Sequence, residues 1–586
     1  MKKLFLLLLI LLEVNCANAS HMMGGEITWQ CSGSNYIFTL KVYRDCRGSG
    51  FTTATQQLTV IGHPSISSIS CAFVSSTDLS APGCGYSCAD PVPPQGATEE
   101  FIFKSAPVNL GTGTPPATGW TFSWNLCCRN GNILNLNSPG SLGMTLRSKM
   151  FSYNGQPVTP CFDNSPAFAE RPHSFVCTGS AFRFSNTAFD VELDSLIYIW
   201  DKPADNIPPM LLNYRAPYTV TNQLPGSPVM EQHTGQVSLT PDTSIMQQGD
   251  FVTCIRLDAF KCNVKVAEIY REMQVGLSYG CPFVFGGGLN HPPLIEDNTT
   301  FLSMPFYNDT VYAGDTVSLS FRVSDSDINT SPVAIQTVTF NAEGLQFGTN
   351  DTGGTGCLYP PCAMLDHATP IIFSGSNILQ FNWVTDCHHV GSYNGCYHNQ
   401  TVHQFVLKAD DNYCPAIGTN VSTITIVVQG PVITSVGSTL TCNFPNGTLQ
   451  WYVDNVLIPG ATGSSIQATS PGFYSVISTL ASGCSISSPP FPFGVSGIDA
   501  ANTIINTQIL PNPSHGTFDL LFSAAEKGNG IIRIVDLSGK IIDEFAVSFQ
   551  KGENKFPVDL TSFSSGIYEL QLNGENFLTH HKIIID

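Results

Sequence analysis

The stretch Tyr36-Ile-Phe-Thr-Leu-Lys-Val-Tyr43 alternates along its length and is rich in residues that favour strands. Successive side chains of a strand point to opposite faces of its sheet, so a period of two predicts a half-buried strand. Turn residues follow it at Arg44-Asp45-Cys46-Arg47-Gly48. Two further stretches of β-forming residues, 101–103 and 119–124, predict more strands in the same region.

The composition of the whole chain agrees with this prediction. Only 12% of the 586 residues are charged, against roughly 25% in an average soluble domain. Long helices are rich in Glu, Lys, Ala and Leu, so this composition favours strands joined by turns. We therefore predict an all-β chain of about four domains. A net charge of −19 with few cations argues against nucleic-acid binding.

The N-terminus has the pattern of a secretory signal peptide. Lys2 and Lys3 precede the apolar run 4–12, and the small-x-small sequence Ala17-Asn18-Ala19 follows. We predict cleavage after Ala19, because Asn15 before Cys16 does not fit a lipoprotein site. No later stretch approaches the ~18 apolar residues of a membrane-spanning helix, so we expect no transmembrane span in the mature chain.

The cysteines support export to an oxidising compartment. Twenty are present in the sequence, which is typical of a chain tied by disulfides. We predict a bridge from Cys442 to Cys484, and disulfides for Cys127, Cys128, Cys387 and Cys414. Cys387 and Cys396 are both expected in disulfides, with Cys414 or the Cys357/Cys362 pair as their possible partners. The less favoured alternative is a zinc site from nearby Cys and His residues, namely Cys387, His388, His389, Cys396, His398 and His403.

Changes in composition and a weak internal repeat suggest a modular organisation. Both repeat units, 164–277 and 290–428, lead from an early strand into acidic residues and close on an alternating strand pair. This spacing fits β-sandwich modules in tandem. The predicted segments are a signal peptide (1–19), a β-rich domain (20–158), two Ig/cadherin-like sandwiches (159–282 and 286–430), an Ig-like module (431–495), a linker (496–502) and a last module (503–586).

The Ig-like module is predicted from three residues. Cys442, Trp451 and Cys484 follow the Cys…Trp…Cys order of immunoglobulin-like sandwiches. In Gly472-Phe-Tyr-Ser-Val476, a valine stands where the second Cys of that pattern belongs. The predicted bridge therefore ends at Cys484, one strand later.

The last module contains an ordered set of motifs. They are Pro511-Asn512-Pro513-Ser-His-Gly516, then Ser538-Gly539-Lys540, then Gly566-Ile-Tyr568, and finally Lys582 in an apolar strand. This order resembles the type A C-terminal sorting domain of the type IX secretion system of Bacteroidetes. The resemblance implies a β-sandwich that interacts with the type IX secretion machinery, and transport of the chain across the outer membrane. It implies a product that is secreted or held at the cell surface.

The front of the mature chain carries a second resemblance. The stretches 21–27, 40–45 and 124–130 are similar to the N-terminal region of large Bacteroidetes surface proteins. Those proteins have PKD-, Ig- or cadherin-like modules and are of the gliding-motility-associated type. Arg129-Asn130 could contact a ligand, although we favour a structural turn after a disulfide.

Alternating carboxylates suggest calcium. Calcium takes six to eight oxygen ligands, and alternate residues of an extended segment project to one side. The candidate ligands are Asp190, Glu192, Asp194, Asp325, Asp327 and Asp410. The alternative is acidic turn residues at the ends of sandwiches.

For catalysis we find no local motif of a serine hydrolase, metalloprotease or phosphate-binding loop. We therefore expect an adhesion or structural protein, not an enzyme, that binds proteins or glycans through its modules. Two alternatives stay open. One is a secreted carbohydrate-active or proteolytic enzyme with its catalytic part in 20–277, and the other is a non-catalytic glycan-binding protein.

Overall fold

Strands joined by turns make up the structure, a computed structural model of the chain. Helices among the described residues are limited to three short 3-10 segments, Pro139–Ser141, Thr349–Asp351 and Cys387–His389. None of them is long enough to cross a membrane. The predicted all-β class is confirmed. The structure describes residues 22–585 except 81–83, 94–95, 173–174, 178–181, 240–248, 263, 279–288, 331–332, 391–398, 415–416, 495–503, 511–513, 515, 525–526, 537–540, 562, 564–565 and 575–576.

The chain divides into two compact units. The first runs to Trp451 and also includes Ile458–Ile466 and Ser475–Pro489. The second comprises Tyr452–Leu457, Gln467–Tyr474 and Pro490–Asp586.

Eighteen strands lie in the described part of the chain before residue 279. They are β1 Met22–Ser32, β2 Asn35–Asp45, β3 Gln56–Ile61, β4 Ser68–Asp78, β5 Thr98–Ser105, β6 Trp120–Cys127, β7 Gly143–Met150, β8 Ala167–Phe168, β9 Phe175–Cys177, β10 Phe182–Ser185, β11 Ala188–Phe189, β12 Ser195–Trp200, β13 Ala204–Asp205, β14 Met210–Leu211, β15 Val229–Met230, β16 Gln236–Leu239, β17 Gly249–Lys261 and β18 Val264–Ser278.

Eleven of these strands form one sheet. Ten of them lie in the order β1-β2-β5-β4-β3-β6-β7-β18-β17-β12, and β9 adds to β18. The sheet closes on itself because β1 also pairs with β18, with Gly25 opposite Glu272. The predicted boundary between 158 and 159 is therefore not a boundary between two sandwiches. The hairpin of β17 and β18 completes the sheet that the first domain begins, so its main-chain groups find their partners there.

The core of this sheet follows the alternation seen in the sequence. Tyr36, Phe38, Leu40 and Val42 of β2 are fully buried on one face. Phe38 lies 4.5 Å from the ring of Phe122, centroid to centroid.

The range predicted as the second sandwich, 286–430, contains two sheets and a small hairpin. The four-stranded sheet has the order β19-β21-β27-β25, the five-stranded sheet has the order β20-β29-β28-β24-β26, and β22 pairs with β23. The strands are β19 Leu294–Asp297, β20 Phe306–Tyr312, β21 Thr316–Ser324, β22 Ile328–Thr330, β23 Val333–Ile335, β24 Thr337–Glu343, β25 Met364–Leu365, β26 Ile371–Ser374, β27 Ser376–Val384, β28 Gln400–Asp410 and β29 Thr419–Gln429.

Short strands follow in the region predicted as Ig-like. They are β30 Ile433–Val436, β31 Thr439–Cys442, β32 Thr448–Val453, β33 Val456–Leu457, β34 Ser465–Gln467, β35 Gly472–Thr479, β36 Ser485–Ser487 and β37 Phe491–Phe493. Trp451 is fully buried there, and its indole N–H donates to the carbonyl of Gly463 at 2.8 Å.

The C-terminal region has two sheets, ordered β38-β39-β42 and β41-β40-β43-β44. Its strands are β38 Ile504–Leu510, β39 Thr517–Ala524, β40 Gly528–Asp536, β41 Ile541–Phe549, β42 Gly552–Asp559, β43 Gly566–Gly574 and β44 Phe577–Ile585. Phe518, Leu520 and Phe522 of β39 are buried at alternate positions, as expected for a strand with one face on a core.

Six disulfides lie among the described residues. They are Cys31–Cys161, Cys46–Cys88, Cys84–Cys414, Cys127–Cys128, Cys357–Cys362 and Cys387–Cys484. The predicted Cys442–Cys484 bridge is wrong, because Cys484 is bonded to Cys387, and Cys442 is a buried free thiol of β31. Burial raises the pKa of the Cys442 thiol. Cys414 is bonded to Cys84, 330 residues earlier in the chain.

Candidate ligand-binding cleft

A cleft of about 720 Å³ lies within the first unit. One wall includes Leu196 of β12 and Phe260 of β17, and the other includes Phe306 of β20 and Val402 of β28. Sites for small ligands usually have volumes of about 300–1,000 Å³ and combine apolar walls with a few polar groups. The volume and lining of this cleft fit that description.

Hydrogen bonds between the two walls fix the shape of the cleft. The Gln404 side-chain amide donates to the carbonyl of His233 at 2.8 Å. Behind it, the Thr423 hydroxyl donates to the buried Gln236 side chain at 3.1 Å. Tyr359 donates its hydroxyl to the carbonyl of Val191 at 3.2 Å. These bonds join residues more than 160 positions apart, so the sequence pattern alone could not locate the cleft.

Three predicted calcium ligands, Asp190, Glu192 and Asp194, line this cleft, and we call them the cleft carboxylates. They lie on the turn between β11 and β12, because Asp190 Oδ1 accepts the backbone N–H of Glu192 at 3.0 Å and of Asp194 at 3.1 Å. Leu193 has a φ of +60°, a conformation uncommon outside Gly, Asn and Asp. The turn thus brings three acidic side chains to the same part of the cleft, although their oxygens do not all lie within 4.8 Å of one another.

A lysine and a fourth carboxylate complete the group. The Lys261 ammonium lies 2.8 Å from Asp163 Oδ1 and 3.2 Å from Asp194 Oδ2. The other side of the group is held by Asn164, whose amide donates to Glu192 Oε1 at 2.5 Å. Neither Asp163 nor Lys261 was selected from the sequence, because each is far from the turn in the chain and has no distinctive neighbours.

Four carboxylates share one ammonium in this buried place, and their pKa values reflect it. Burial raises the pKa of Asp190 to about 7, and the charges of Asp194 and Glu192 add to the effect. Burial and the charge of Asp194 also raise the pKa of Asp163. Burial lowers the pKa of Lys261, but the charges of Asp163 and Asp194 outweigh it, so the net shift is upward. The upward shifts mean that Asp163 and Asp190 hold protons at a pH where exposed carboxyl groups have lost theirs, so a cation that binds here would compete with these protons.

Two oxygens of the cleft carboxylates have no hydrogen-bond partner among the described residues. They are Asp190 Oδ2 and Glu192 Oε2. Asp190 is only 4% exposed, and a buried acceptor without a donor costs free energy of the order of 1–3 kcal/mol. These oxygens could accept a hydrogen bond or bind a cation. A calcium site at the cleft carboxylates remains a prediction.

The other three predicted calcium ligands do not join them. Asp325 interacts electrostatically with both Asp327 and Asp411, and Asp327 Oδ2 accepts the backbone N–H of His291 at 2.7 Å. Asp410 Oδ2 instead lies 3.3 Å from the ammonium of Lys408. The six residues therefore do not form one site.

The predicted cluster of Cys and His residues is divided in the structure. The rings of His389 and His403 are buried against Trp383. His389 Nε2 lies 2.7 Å from the carbonyl of Tyr359, and His403 Nε2 lies 2.8 Å from the carbonyl of His389. Burial lowers the pKa of His389 to about 4 and that of His403 to about 3. Both rings are parts of the core, and the predicted ligands Cys396 and His398 lie outside the described residues.

Arg129 and Asn130, considered as ligand contacts, are internal. Arg129 forms a buried ion pair with Glu272 and donates to the carbonyl of Gly143 at 2.8 Å. Asn130 donates to Asp250 Oδ2 at 2.7 Å. Both side chains are less than 5% exposed, so they hold the turn after the Cys127–Cys128 disulfide and face no ligand.

The sorting motif is partly visible. Gly516 has a φ of +93°, which favours glycine, and its carbonyl accepts the backbone N–H of Leu560 at 2.6 Å. Gly566 begins β43, and the ring of Tyr568 lies 6.4 Å from that of Phe563. Lys582 is on β44. The remaining predicted residues, Pro511, Asn512, Pro513, Gly539 and the cleavage site at Ala19, lie outside the described residues.

Residues 508–586 match the family model of the secretion system C-terminal sorting domain. This match confirms the sorting domain predicted from the sequence. It implies secretion by the type IX system, contact with that machinery, and a secreted or surface location. No curated protein matches the chain in sequence.

Solved structures that match the chain include proteins with immunoglobulin domains. The N-terminal eight Ig domains of Down Syndrome Cell Adhesion Molecule are 12% identical over 95% of this chain and 67% of that one, with a TM-score of 0.16. Dimeric latent PorU from Porphyromonas gingivalis is 11% identical over 75% and 33% of the two chains, with a TM-score of 0.14. A Porphyromonas gingivalis W83 protein of unknown function is 10% identical over 45% and 96%, with a TM-score of 0.15. Identities and scores this low transfer no function to this chain.

Proposed function

We propose that this protein acts outside the cell as an adhesion protein of the gliding-motility-associated type, and that it binds a protein or glycan ligand in the cleft. The proposal rests on one observation, the cleft of about 720 Å³ with its apolar walls and carboxylate turn. Apolar walls give contact area to a ligand, and a few polar groups fix its orientation. The resemblance of stretches 21–27, 40–45 and 124–130 to large Bacteroidetes surface proteins supports the same function.

A binding screen with matched variants tests this proposal. The full chain is applied to a glycan array and to immobilised surface proteins. Val402→Asp puts a charge in the cleft wall, where the side chain is 49% exposed, and Val436→Asp puts the same charge at an 86% exposed position outside it. We expect Val402→Asp to weaken binding about tenfold or more, which corresponds to about 1.4 kcal/mol, and Val436→Asp to bind normally. Equal binding by both variants contradicts a ligand in the cleft.

The cleft carboxylates also favour a second candidate, a glycoside hydrolase. Such enzymes use one carboxyl group with a raised pKa as the acid and a second as base or nucleophile. Asp190, with its pKa of about 7, fits the first role. A panel of polysaccharides and peptides separates the two candidates, because turnover that is lost in Asp190→Asn contradicts an adhesion protein. Glycan binding without turnover instead supports a binding protein.

The export part of the proposal has its own test. Cells that express the chain without residues 566–586 should retain it in the periplasm, whereas the full chain should reach the surface or the medium. The deleted segment includes the pairing of Tyr568 with Ile583 that joins β43 to β44. Normal surface delivery of the shortened chain would contradict a sorting role for this tail.

A further inference from the structure

Four metal-ligating side chains meet at the Cys387–Cys484 disulfide. They are Asp386, Cys387, His388 and Cys484, and their ligand atoms all lie within 4.8 Å of one another. Three come from consecutive residues at the end of β27, and the fourth comes from the turn before β36. The sequence-based zinc hypothesis included Cys387 and His388 but missed Asp386 and Cys484, which is 97 residues away from Cys387.

The side chains are held in place by their surroundings. Asp386 is 7% exposed, and its Oδ1 accepts the backbone N–H of Cys387 at 2.6 Å and the hydroxyl of Ser482 at 3.1 Å. The same oxygen is in contact with Cys484 Sγ. His388 Nδ1 lies 3.7 Å from Cys387 Sγ. His388 is exposed, so an ion could enter from solvent on its side.

This arrangement has the composition of a tetrahedral zinc site. Zinc binds thiolate sulfur at about 2.3 Å and imidazole nitrogen or carboxylate oxygen at about 2.0–2.2 Å, so its ligand atoms lie about 3.3–3.8 Å apart. The observed separations are within reach of that geometry once the two sulfurs are no longer bonded. We propose that Asp386, Cys387, His388 and Cys484 bind a zinc-class divalent ion when the two cysteines are thiols, so that metal and disulfide are alternative states of one site.

The metal form and the disulfide form differ by one bound ion and by two electrons. A chain leaves the cytoplasm with its cysteines as thiols, and binding of zinc by Cys387 and Cys484 releases two protons to solvent. Loss of the ion leaves two thiols, and thiol–disulfide exchange with a disulfide oxidant of the compartment then forms the Cys387–Cys484 bond while the oxidant takes up two electrons and two protons and becomes two thiols. The metal form would therefore precede the disulfide and keep these sulfurs from pairing with other cysteines. A dithiol reductant returns the site to the thiol form and is itself oxidised to a disulfide.

Site-specific thiol labelling tests the proposal on the full chain. The protein is reduced without oxygen, incubated with or without zinc, alkylated and analysed peptide by peptide. We expect zinc to slow the labelling of Cys387 and Cys484 about tenfold or more, with no change at Cys357 and Cys362. That second pair is the matched control, because it is a disulfide outside this cluster. Equal labelling of Cys387 with and without zinc overturns the proposal.

Cobalt binding provides a second readout that separates ligands from neighbours. The reduced chain should show a cobalt–thiolate charge-transfer band, which the Cys387→Ser/Cys484→Ser variant should lose and the Cys357→Ser/Cys362→Ser variant should keep. His388→Ala should weaken cobalt binding about tenfold or more. Circular dichroism identifies any variant that has lost its fold. A full band in folded Cys387→Ser/Cys484→Ser, or no band in the folded reduced chain, overturns the site.

Discussion

The folded chain should lose stability as the pH rises, because the buried Asp190 carboxyl group resists losing its proton. Replacing Asp190 by Asn should remove most of this loss. Burial raises the pKa of Asp190 in the folded chain from its ordinary 3.8 to about 7. Between these values the folded state holds a proton that the unfolded state has released. The contribution of the Asp190 carboxyl group to the free energy of unfolding is therefore complete below about pH 4, and it is lost as the pH rises through about 7.

The size of the effect follows from the shift. Each pKa unit corresponds to 1.36 kcal/mol, so a shift of about three units gives a loss of about 4 kcal/mol between pH 4 and pH 8. The Asn side chain stays neutral over this range. Its oxygen can still accept the backbone N–H groups of Glu192 and Asp194, so the turn should keep its conformation. Between pH 4 and pH 8, the free energy of unfolding of Asp190→Asn should therefore fall by about 4 kcal/mol less than that of the unchanged chain.

Denaturant unfolding at pH 4 and pH 8 measures this difference. All six tryptophans lie in the first unit, so their fluorescence reports the unit that contains Asp190. Asp297→Asn is the control, because hydrogen bonds from Thr299 and Thr300 lower the pKa of Asp297 to about 2 and it titrates below this range. If Asp190→Asn and the unchanged chain lose the same stability to within about 1 kcal/mol, the assignment of a raised pKa to Asp190 is wrong.

Three further outcomes are expected. Arg129→Met leaves Glu272 buried without its cation, so it should destabilise the first unit by about 3–5 kcal/mol in denaturant unfolding. An unchanged denaturant midpoint would contradict a structural role for Arg129. Cys84→Ser removes the bridge to Cys414, which closes a loop of 330 residues, and should lower the free energy of unfolding by about 2–4 kcal/mol in the same assay. An unchanged free energy of unfolding would mean that other contacts already join these two segments. If the cleft carboxylates bind calcium, calcium at 100 times its Kd should stabilise EDTA-treated protein by about 2.7 kcal/mol, and a melting midpoint unaffected by calcium would exclude the site.

The fold class and the sorting tail were accessible from the sequence for a simple reason. Both depend on local patterns, the period of two in stretches such as 36–43 and the ordered turn motifs of 508–586. The hairpin of β17 and β18 also has a clear strand pattern. Its membership in the first sheet was missed, because the choice of a partner strand depends on contacts between distant parts of the chain.

The candidate sites, too, could be predicted where the sequence pattern is local and were missed where they depend on contacts between distant residues. The cleft carboxylates were found as an alternating stretch, but Asp163 and Lys261 have no pattern that connects them with it. Cys387 was linked to cysteines of the same region, because it belongs to a local group of Cys and His residues in a chain expected to form disulfides. The structure pairs it with Cys484, 97 residues later, since the end of β27 and the start of β36 lie at the same place. Position in the fold, which a single sequence does not encode locally, decides these contacts.

Buried charges provide a physical account of how the first sheet finds its register. Arg271 of β18 pairs with Glu26 of β1 at 3.1 Å, with both side chains 2% exposed or less, and the next residue, Glu272, pairs with Arg129. Buried ion pairs add little net stability, because desolvation offsets their attraction. A slip of one residue would turn each side chain to the opposite face and leave these charges unpaired. The observed register is thereby favoured over its neighbours by several kcal/mol. Strand β17 pairs with β18 and ends at Lys261. The same register therefore also brings the Lys261 ammonium to the cleft carboxylates.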